Sequence, residues 1–351
     1  MSLLDLEVDD LRCVQRAALT LHPHVNLILG PNGSGKTSLL EAIYLLGRGR
    51  SFRTRHTERL IRIGAGRLQV LGRLVDAPVA TVGVGCTREG GVEARMDRRS
   101  PKSLAELAQA LPVQVLDPGI HRLIEEGPSF RRRWLDWGVF HVEPGFVSLW
   151  TDYTQALRQR NAALKQRMDP SPWNQEMIRT GERMAESRAR TIEALQPYWL
   201  QTTESLLGRP VTLGFYRGWS MDRTLAELLN HHAELDRERG TTVFGPHRFD
   251  VTLKVEGRSA RDVLSRGQQK LLGASLSLAM AKLVGGEARR PALLLLDDPA
   301  AELDADRTQA LVREIHSLRG QLVITALPGH DASLVPPDRV FHVEQGRVTT
   351  R

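Results

Sequence analysis

The sequence predicts an α/β fold with mixed sheets, interrupted by a mostly α-helical insertion, and three observations carry that reading. A strand-like run at residues 25–29 leads into a glycine-rich loop and then a helix over 36–46. A second apolar run, residues 292–296, ends in Asp297-Asp298. Between residues 130 and 207 the strand-like alternation gives way to helical spacing. The elements divide the chain into 1–118, an N-terminal part of the α/β domain; 119–240, the helical insertion; and 241–351, the return to the α/β domain.

In order along the chain, residues 4–8 and 25–29 read as strands around a hairpin-like segment. Residues 68–96 alternate apolar and polar side chains, with Leu68, Val70, Leu74, Val82, Val84 and Val92 on the apolar positions, and predict antiparallel strands. In the insertion, Ile178, Ala185 and Ile192 recur every seven residues, while Tyr153, Leu157, Leu164 and Met168 line one face of an earlier helix. Asp169-Pro170-Ser171-Pro172 separates the two as a turn, giving a helical hairpin too short for a long coiled coil. Strand character returns at 249–255, 292–296 and 321–325, the last two flanking a helix near 307–318.

Composition sets the bounds. The 351 residues are 41% apolar and 25% charged, ordinary globular usage that excludes disordered and collagen-like classes. Two cysteines, Cys13 and Cys86, support neither a disulfide framework nor a Cys-x-x-Cys metal knuckle. No run approaches the roughly 18 apolar residues that span a bilayer, and the acidic start (Asp5, Glu7, Asp9, Asp10) is unlike a signal peptide. The expectation is a reduced, cytoplasmic protein without a membrane. The net charge of +7 is local: residues 48–73 hold eight arginines against Glu58 alone. Arg98, Arg99 and Lys102, then Arg131, Arg132 and Arg133, then Arg158, Arg160, Lys165 and Arg167 form further clusters. Arginine's planar fork suits phosphate, so such clusters beside a nucleotide site favour a nucleic acid, against the plainer reading of a solvated basic face.

Gly30-Pro31-Asn32-Gly33-Ser34-Gly35-Lys36-Thr37, followed by Ser38, matches G-x-x-x-x-G-K-[ST] between strand and helix. Its backbone N–H groups would cradle phosphates, Lys36 would bridge the β and γ phosphates of ATP, and Thr37 would give its hydroxyl to Mg²⁺. Asp297 at the end of the apolar strand is the second candidate for holding Mg²⁺, and Asp298 the candidate for polarising an attacking water. Ser265-Arg266-Gly267-Gln268, about thirty residues earlier, has the position of the signature motif of ABC-type ATPases, although Ser265 alone could be a helix N-cap. In that class the signature of one subunit meets the γ-phosphate held by the other. Ala301-Glu302-Leu303-Asp304 resembles the D-loop at the same interface, with Glu302 and Asp304 as its candidate residues.

Several longer segments resemble the RecF family of ABC- and SMC-type ATPases nearly end to end. They are Leu45-Leu46-Gly47-Arg48-Gly49-Arg50-Ser51-Phe52-Arg53; Gly127-Pro128-Ser129-Phe130-Arg131-Arg132-Arg133-Trp134-Leu135-Asp136; Gln159-Arg160-Asn161-Ala162-Ala163-Leu164-Lys165; Gly245-Pro246-His247-Arg248-Phe249-Asp250; and residues 264–270. The resemblance implies an ABC-type head and binding of single- and double-stranded DNA by an ATP-induced homodimer. It also implies slow hydrolysis used as a switch, and help in loading recombinase at gaps with RecR- and RecO-type partners. Arg48, Arg50, Arg53, Arg55, Arg131 and Arg132 are the candidate DNA contacts, and Arg12 a nucleotide-side contact. The chain departs from the pattern at Phe249, where an acid is usual; at Asp117-Pro118-Gly119, which blurs the Q-loop; at Ala301, in place of serine; and at Cys13, after Leu11-Arg12. Thr325 lies where transporter ATPases carry a switch histidine. The rival readings are a transporter ATPase subunit, disfavoured by the insertion and the arginines; an SMC-type clamp, which needs far longer arms; and a scaffold that does not hydrolyse, which Asp297 and Asp298 disfavour.

Overall fold

Side chains that alternate between core and solvent set the first sheet. In the computed structural model, which describes residues 1–89, 91–287, 291–301, 303–329 and 335–350, strand β1 (Ser2–Leu11) buries Leu3, Leu6, Val8 and Leu11. It pairs antiparallel with β2 (Val14–Thr20) and, across the intervening β3 (Val25–Leu29) and α1 (Lys36–Arg48), with β4 (Arg67–Val75). β5 (Thr81–Thr87) and β6 (Val92–Met96) complete a five-stranded antiparallel sheet in the order β2-β1-β4-β5-β6. Helix α2 (Leu104–Ala110) and strand β7 (Val113–Leu116) follow.

The chain packs as two compact units, one formed by Met1–Ile120 with Val284–Arg351 and the other by His121–Leu283. The second unit opens with α3 (Arg122–Glu125), α4 (Pro128–Val142), α5 (Phe146–Lys165) and the long α6 (Asn174–Leu207). Beyond β8 (Thr212–Tyr216), α7 (Leu225–His231) and α8 (Ala233–Arg239) come β9 (Asp250–Val255), β10 (Arg258–Ser259), α9 (Ala260–Val263) and α10 (Arg266–Glu287). The insertion was expected to end at residue 240, but the unit continues to Leu283. The reason is strand pairing: β9 finds its partner in β8, with Thr212 opposite Lys254 and Tyr216 opposite Asp250, so the strands after Gly240 stay with the helices before it. The expected hairpin is present as α5 and α6, with Ala185 and Ile192 buried on α6 and Tyr153 and Leu164 on α5. Met168, expected on the same face, is exposed because α5 ends at Lys165 and Arg167 turns left-handed at φ 57°.

Deep in this unit a polar network replaces apolar packing. The Arg160 side chain, 1% exposed, donates to Asp236 at 2.8 Å and to Thr242 at 2.7 Å. Arg188 grips Asp136 through two bonds of 2.8 and 2.9 Å and donates to the Pro246 carbonyl at 2.6 Å. Between them the ring nitrogens of His247 contact the Tyr153 hydroxyl at 2.7 Å and the Thr242 carbonyl at 3.1 Å.

The remaining strands, β11 (Leu293–Asp297), β12 (Leu322–Ala326), β13 (Arg339–Glu344) and β14 (Arg347–Thr350), with helix α11 (Ala305–His316), return to the first unit. They form a six-stranded sheet in the order β14-β13-β3-β12-β11-β7, parallel except for the β13–β14 hairpin. Its inner strands are almost wholly buried, as parallel sheets are. The buried Gln321 amide ties β12 to β1, donating to the Leu3 carbonyl at 2.7 Å and accepting from the Leu3 N–H at 2.8 Å. Among the described residues no helix is long and apolar enough to cross a membrane.

Burial lowers the pKa of His247 to about 4. Protonation is therefore less favourable in the folded protein than in the unfolded chain, whose histidines titrate near 6.5. The stability this contributes is complete above that value and is lost as pH falls from about 6.5 towards 4, by up to about 3 kcal/mol. Urea denaturation across this range should show the decline, and His247→Gln should flatten it.

Candidate functional site

The parallel register brings three chain segments to one sheet edge. Leu29 pairs beside Ala326 and Asp297 beside Thr325, so the loop after β3 and the turn after β11 leave the sheet at neighbouring points. The Gly30 N–H donates to the Ala326 carbonyl at 3.4 Å where the loop departs. A side chain at position 30 would collide with the Val343 carbonyl and the Ser34 hydroxyl, so the sequence has glycine there. Gly35 takes φ 116°, a left-handed conformation that any other residue would strain, and serves as the N-cap of α1.

That N-cap has no side chain, and the first turn of α1 has no acid. The orphan N–H groups and the positive end of the helix dipole therefore face the loop, the arrangement that binds phosphate. The Ser34 hydroxyl, 4% exposed, has no hydrogen-bond partner among the described residues. Lys36 reaches back across the loop and donates to the Gly30 carbonyl at 2.7 Å and the Pro31 carbonyl at 3.0 Å. Burial lowers its pKa, and the charges of Asp298 and Asp297 pull it back up.

The two motifs meet at Thr37. Its hydroxyl lies 2.9 and 3.1 Å from the two carboxylate oxygens of Asp297. Among the described residues no three His, Cys, Asp or Glu side chains converge on one point. A hydroxyl and a carboxylate side by side suit Mg²⁺, a hard cation that takes few protein oxygens and shares those of phosphates. Asp298 lines the same cleft, its backbone in the left-handed region at φ 47°.

The cleft has a volume of about 840 Å³, and residues 32–38 form one wall. Arg12, expected there, does line it, but its fork is held by Glu41 through bonds of 2.9 and 3.0 Å. Glu41 is fully buried on α1 and also accepts from the Ser51 hydroxyl, which in turn accepts the Arg53 and Thr54 N–H groups at 2.9 and 3.1 Å. This chain of bonds fixes the arginine-rich segment against the P-loop helix. Glu41 was missed in the sequence, though one acid inside the apolar run of α1 was a legible signal. Arg59, Arg62, Ile61, Ile63 and Pro118 are further lining residues outside the expected set. Ile63 is 92% exposed, the extreme among the large apolar side chains described.

The candidate DNA arginines separate into groups. Arg50, Arg53 and Arg55 are exposed and make no ion pair among the described residues, and Arg53 lines the cleft. Arg48 is half-buried at the C-terminus of α1, its guanidinium 5.8 Å from the Tyr44 ring, and burial lowers its pKa. Arg131 and Arg132 are half-buried and engaged within the protein. Arg131 holds both Asp250 oxygens, at 2.8 and 3.0 Å, and donates to the Leu123 and Glu126 carbonyls at 3.0 and 2.8 Å. Arg132 donates to the Phe249 carbonyl at 2.6 Å. Both are used in joining α4 to β9. Phe249, where an acid was expected, is fully buried and stacks on Phe215 at 5.5 Å.

In the second unit Ser265 begins α10. Its hydroxyl accepts the Gln268 N–H at 3.4 Å while its own N–H donates to the Gln268 side chain at 3.0 Å, a reciprocal cap. Ser265 and Arg266 are exposed, and Gly267 is half-buried. Asp304 caps α11, accepting the Arg307 N–H at 2.9 Å. Glu302 lies outside the described residues.

Fold and site together define an ABC-type ATPase head of the SMC kind. The family model "RecF/RecN/SMC N terminal domain" matches residues 2–349. Curated relatives named "DNA replication and repair protein RecF" include those of Shewanella baltica, 38% identical with 99% of each chain covered, and Pseudomonas putida, 39% identical with 99% of this chain and 98% of the relative covered. The chain belongs to the RecF family. A solved structure of "the recombination mediator protein RecF-ATPrS in RecFOR pathway" superposes with a TM-score of 0.87 at 25% identity, covering 99% of this chain and 97% of that one. An SMC head bound to the C-terminal winged-helix domain of ScpA shares the fold at a TM-score of 0.62 and 16% identity, with 100% and 97% covered.

Arg131→Ala should lower stability by about 2–3 kcal/mol, because it leaves the half-buried Asp250 carboxylate without its partner. Arg53→Ala should leave stability within about 0.5 kcal/mol of the parent. Chemical denaturation of the two variants checks the division of the arginines.

Proposed function

We propose that this protein is an ATP-dependent DNA-binding protein of recombinational repair and replication, closing as a dimer on DNA and opening after slow hydrolysis. The observation that carries the reading is the meeting of Thr37 with Asp297 at the uncapped N-terminus of α1, in a cleft that Asp298 also lines. That is the constellation of a nucleoside triphosphatase. The full-length likeness to proteins named for DNA replication and repair narrows the class.

ATP is the substrate. The N–H groups of residues 33–37 receive its phosphates, and Lys36 exchanges the loop carbonyls for β- and γ-phosphate oxygens. Mg²⁺, bound by Thr37 and Asp297, would neutralise the charge that develops on those oxygens. Asp298 orients the attacking water and draws on its proton. Ser265 and the α10 N-terminus of a second protomer complete the site from the γ-phosphate side, so nucleotide holds the dimer together. Asp304, at the start of α11, is the described residue of the D-loop that would face this interface.

The exposed Arg50, Arg53 and Arg55 are the DNA contacts left after Arg131 and Arg132 are set aside, with Arg48 behind them. Closure doubles them, and each phosphate they neutralise releases counterions. Single- and double-stranded DNA are both suited to such backbone contacts. RecR- and RecO-type partners, and recombinase loading at gaps, belong to the same proposal, supported by the likeness to a recombination mediator of the RecFOR pathway. A long-armed SMC clamp is not favoured, because α5 and α6 have 20 and 34 residues.

Light scattering should show a dimer that depends on ATP and Mg²⁺, and Ser265→Arg should stay monomeric while still binding nucleotide. Lys36→Ala should lose the ATP stimulation of DNA binding. Affinity for DNA should fall by about tenfold or more between 50 and 200 mM salt. A dimer indifferent to nucleotide would overturn the reading.

A further inference from the structure

Thr325 stands on β12, between β3 and β11, and is fully buried. Its neighbours on the strand are Val323, Ile324 and Ala326, and at a buried, β-branched position valine would fill the same space. What the threonine adds is a hydroxyl. That oxygen lies 2.9 Å from Oδ1 of Asp297, 3.0 Å from the backbone nitrogen of Asp298 and 3.4 Å from the Leu296 carbonyl. A hydroxyl has one proton to give. The nearest acceptor is the Asp297 carboxylate, and the Asp298 N–H can only donate, so the oxygen donates to one aspartate and accepts from the other.

Both contacts fall on groups that need holding. Asp297 is gripped on one side by the Thr37 hydroxyl, which in the proposed site also faces the ion. The Thr325 hydroxyl bonds the same oxygen, Oδ1, from the neighbouring strand β12, and that bond is independent of any ligand. Asp298 is a non-glycine residue at φ 47°, a conformation that persists only where its surroundings enforce it. The bond to its N–H is such an enforcement.

We infer that Thr325 is the positioning residue of the hydrolytic step, its hydroxyl fixing the Asp297 carboxylate and the turn that aims Asp298. The inference rests on the ATPase reading and adds to it a fully buried residue that does not line the cleft. Position 325 also ceases to be merely the place of a missing histidine: its hydroxyl is the group through which β12 acts on the pair.

The test compares Thr325→Val and Thr325→Ser with the parent and with Asp298→Asn in steady-state hydrolysis, ATP binding and ATP-dependent dimerisation. Valine keeps the volume and loses the hydroxyl; serine keeps the hydroxyl and loses a methyl group. A positioning role predicts that Thr325→Val lowers kcat by about 10- to 100-fold, with ATP affinity within about threefold and the dimer still forming. Thr325→Ser should remain within about threefold of the parent kcat. A packing role predicts the reverse order, with valine like the parent and serine impaired, and that result overturns the inference. If the parent hydrolyses ATP, Asp298→Asn abolishes hydrolysis and Thr325→Val still turns over at the parent rate, the inference alone fails. If the parent shows no turnover sensitive to Asp298→Asn, the ATPase reading fails and takes the inference with it.

Discussion

The parallel register of β3, β12 and β11 is the constraint on which the site depends. It places Leu29 beside Ala326 and Asp297 beside Thr325, and so sets residues 30–37 and 297–298 next to each other although some 260 residues separate them in sequence. A slip of one residue in β11 would turn Asp297 to the other face of the sheet, and a slip in β3 or β12 would carry the phosphate loop or Thr325 out of line with it. The Gln321 bonds to Leu3 and the almost continuous burial of all three strands oppose such a slip. Precise chemistry at the sheet edge is thus a consequence of apolar strands that carry no chemistry themselves.

Charge shows how far a sequence can be taken before geometry is needed. The eight arginines of residues 48–73 look alike as a string. In the fold, Arg62 pairs with Asp10 at 2.6 Å, Arg73 pairs with Asp5, and Arg48 lies beside Tyr44. Arg53 and Arg59 line the cleft. The surplus that can reach an external polyanion is therefore smaller than the +7 suggests. Net charge counts residues, whereas binding depends on guanidinium donors that no internal carboxylate or carbonyl has taken.

The legible parts of the sequence were those set by short-range rules. The phosphate loop needs glycines at fixed offsets, β11 needs an apolar run ending in carboxylates, and the α5–α6 hairpin needs helical spacing broken at Pro170 and Pro172; each was recognisable from residue types alone. Much of the rest depended on distant pairing. β7 is four residues bounded by prolines, and its strand character comes from docking beside β11. That the compact unit runs on past residue 240 was not legible because β9 reads as a generic strand, and only its pairing with β8 joins it to the helices before it. The roles of Arg131, Glu41 and Thr325 were hidden for the same reason: a side chain's use is decided by what the fold brings to it.

The structural use of Ser265 as a cap is compatible with the trans contact proposed for it. As a cap, its oxygen accepts the Gln268 N–H at 3.4 Å, a long bond that uses a lone pair and leaves the hydroxyl proton free to be given. The side chain of Gln268 is drawn back to the Ser265 N–H, which holds the turn in the shape of a helix start before any ligand arrives. The residues beside it suit an anion: Arg266 is exposed, and Gly267 has no side chain to block approach. A helix N-terminus organised in this way loses little freedom when a phosphate docks, so more of the contact energy remains for holding two protomers together. The local cap is then part of the proposed trans contact, because it keeps the donor group in place for a ligand carried by another molecule.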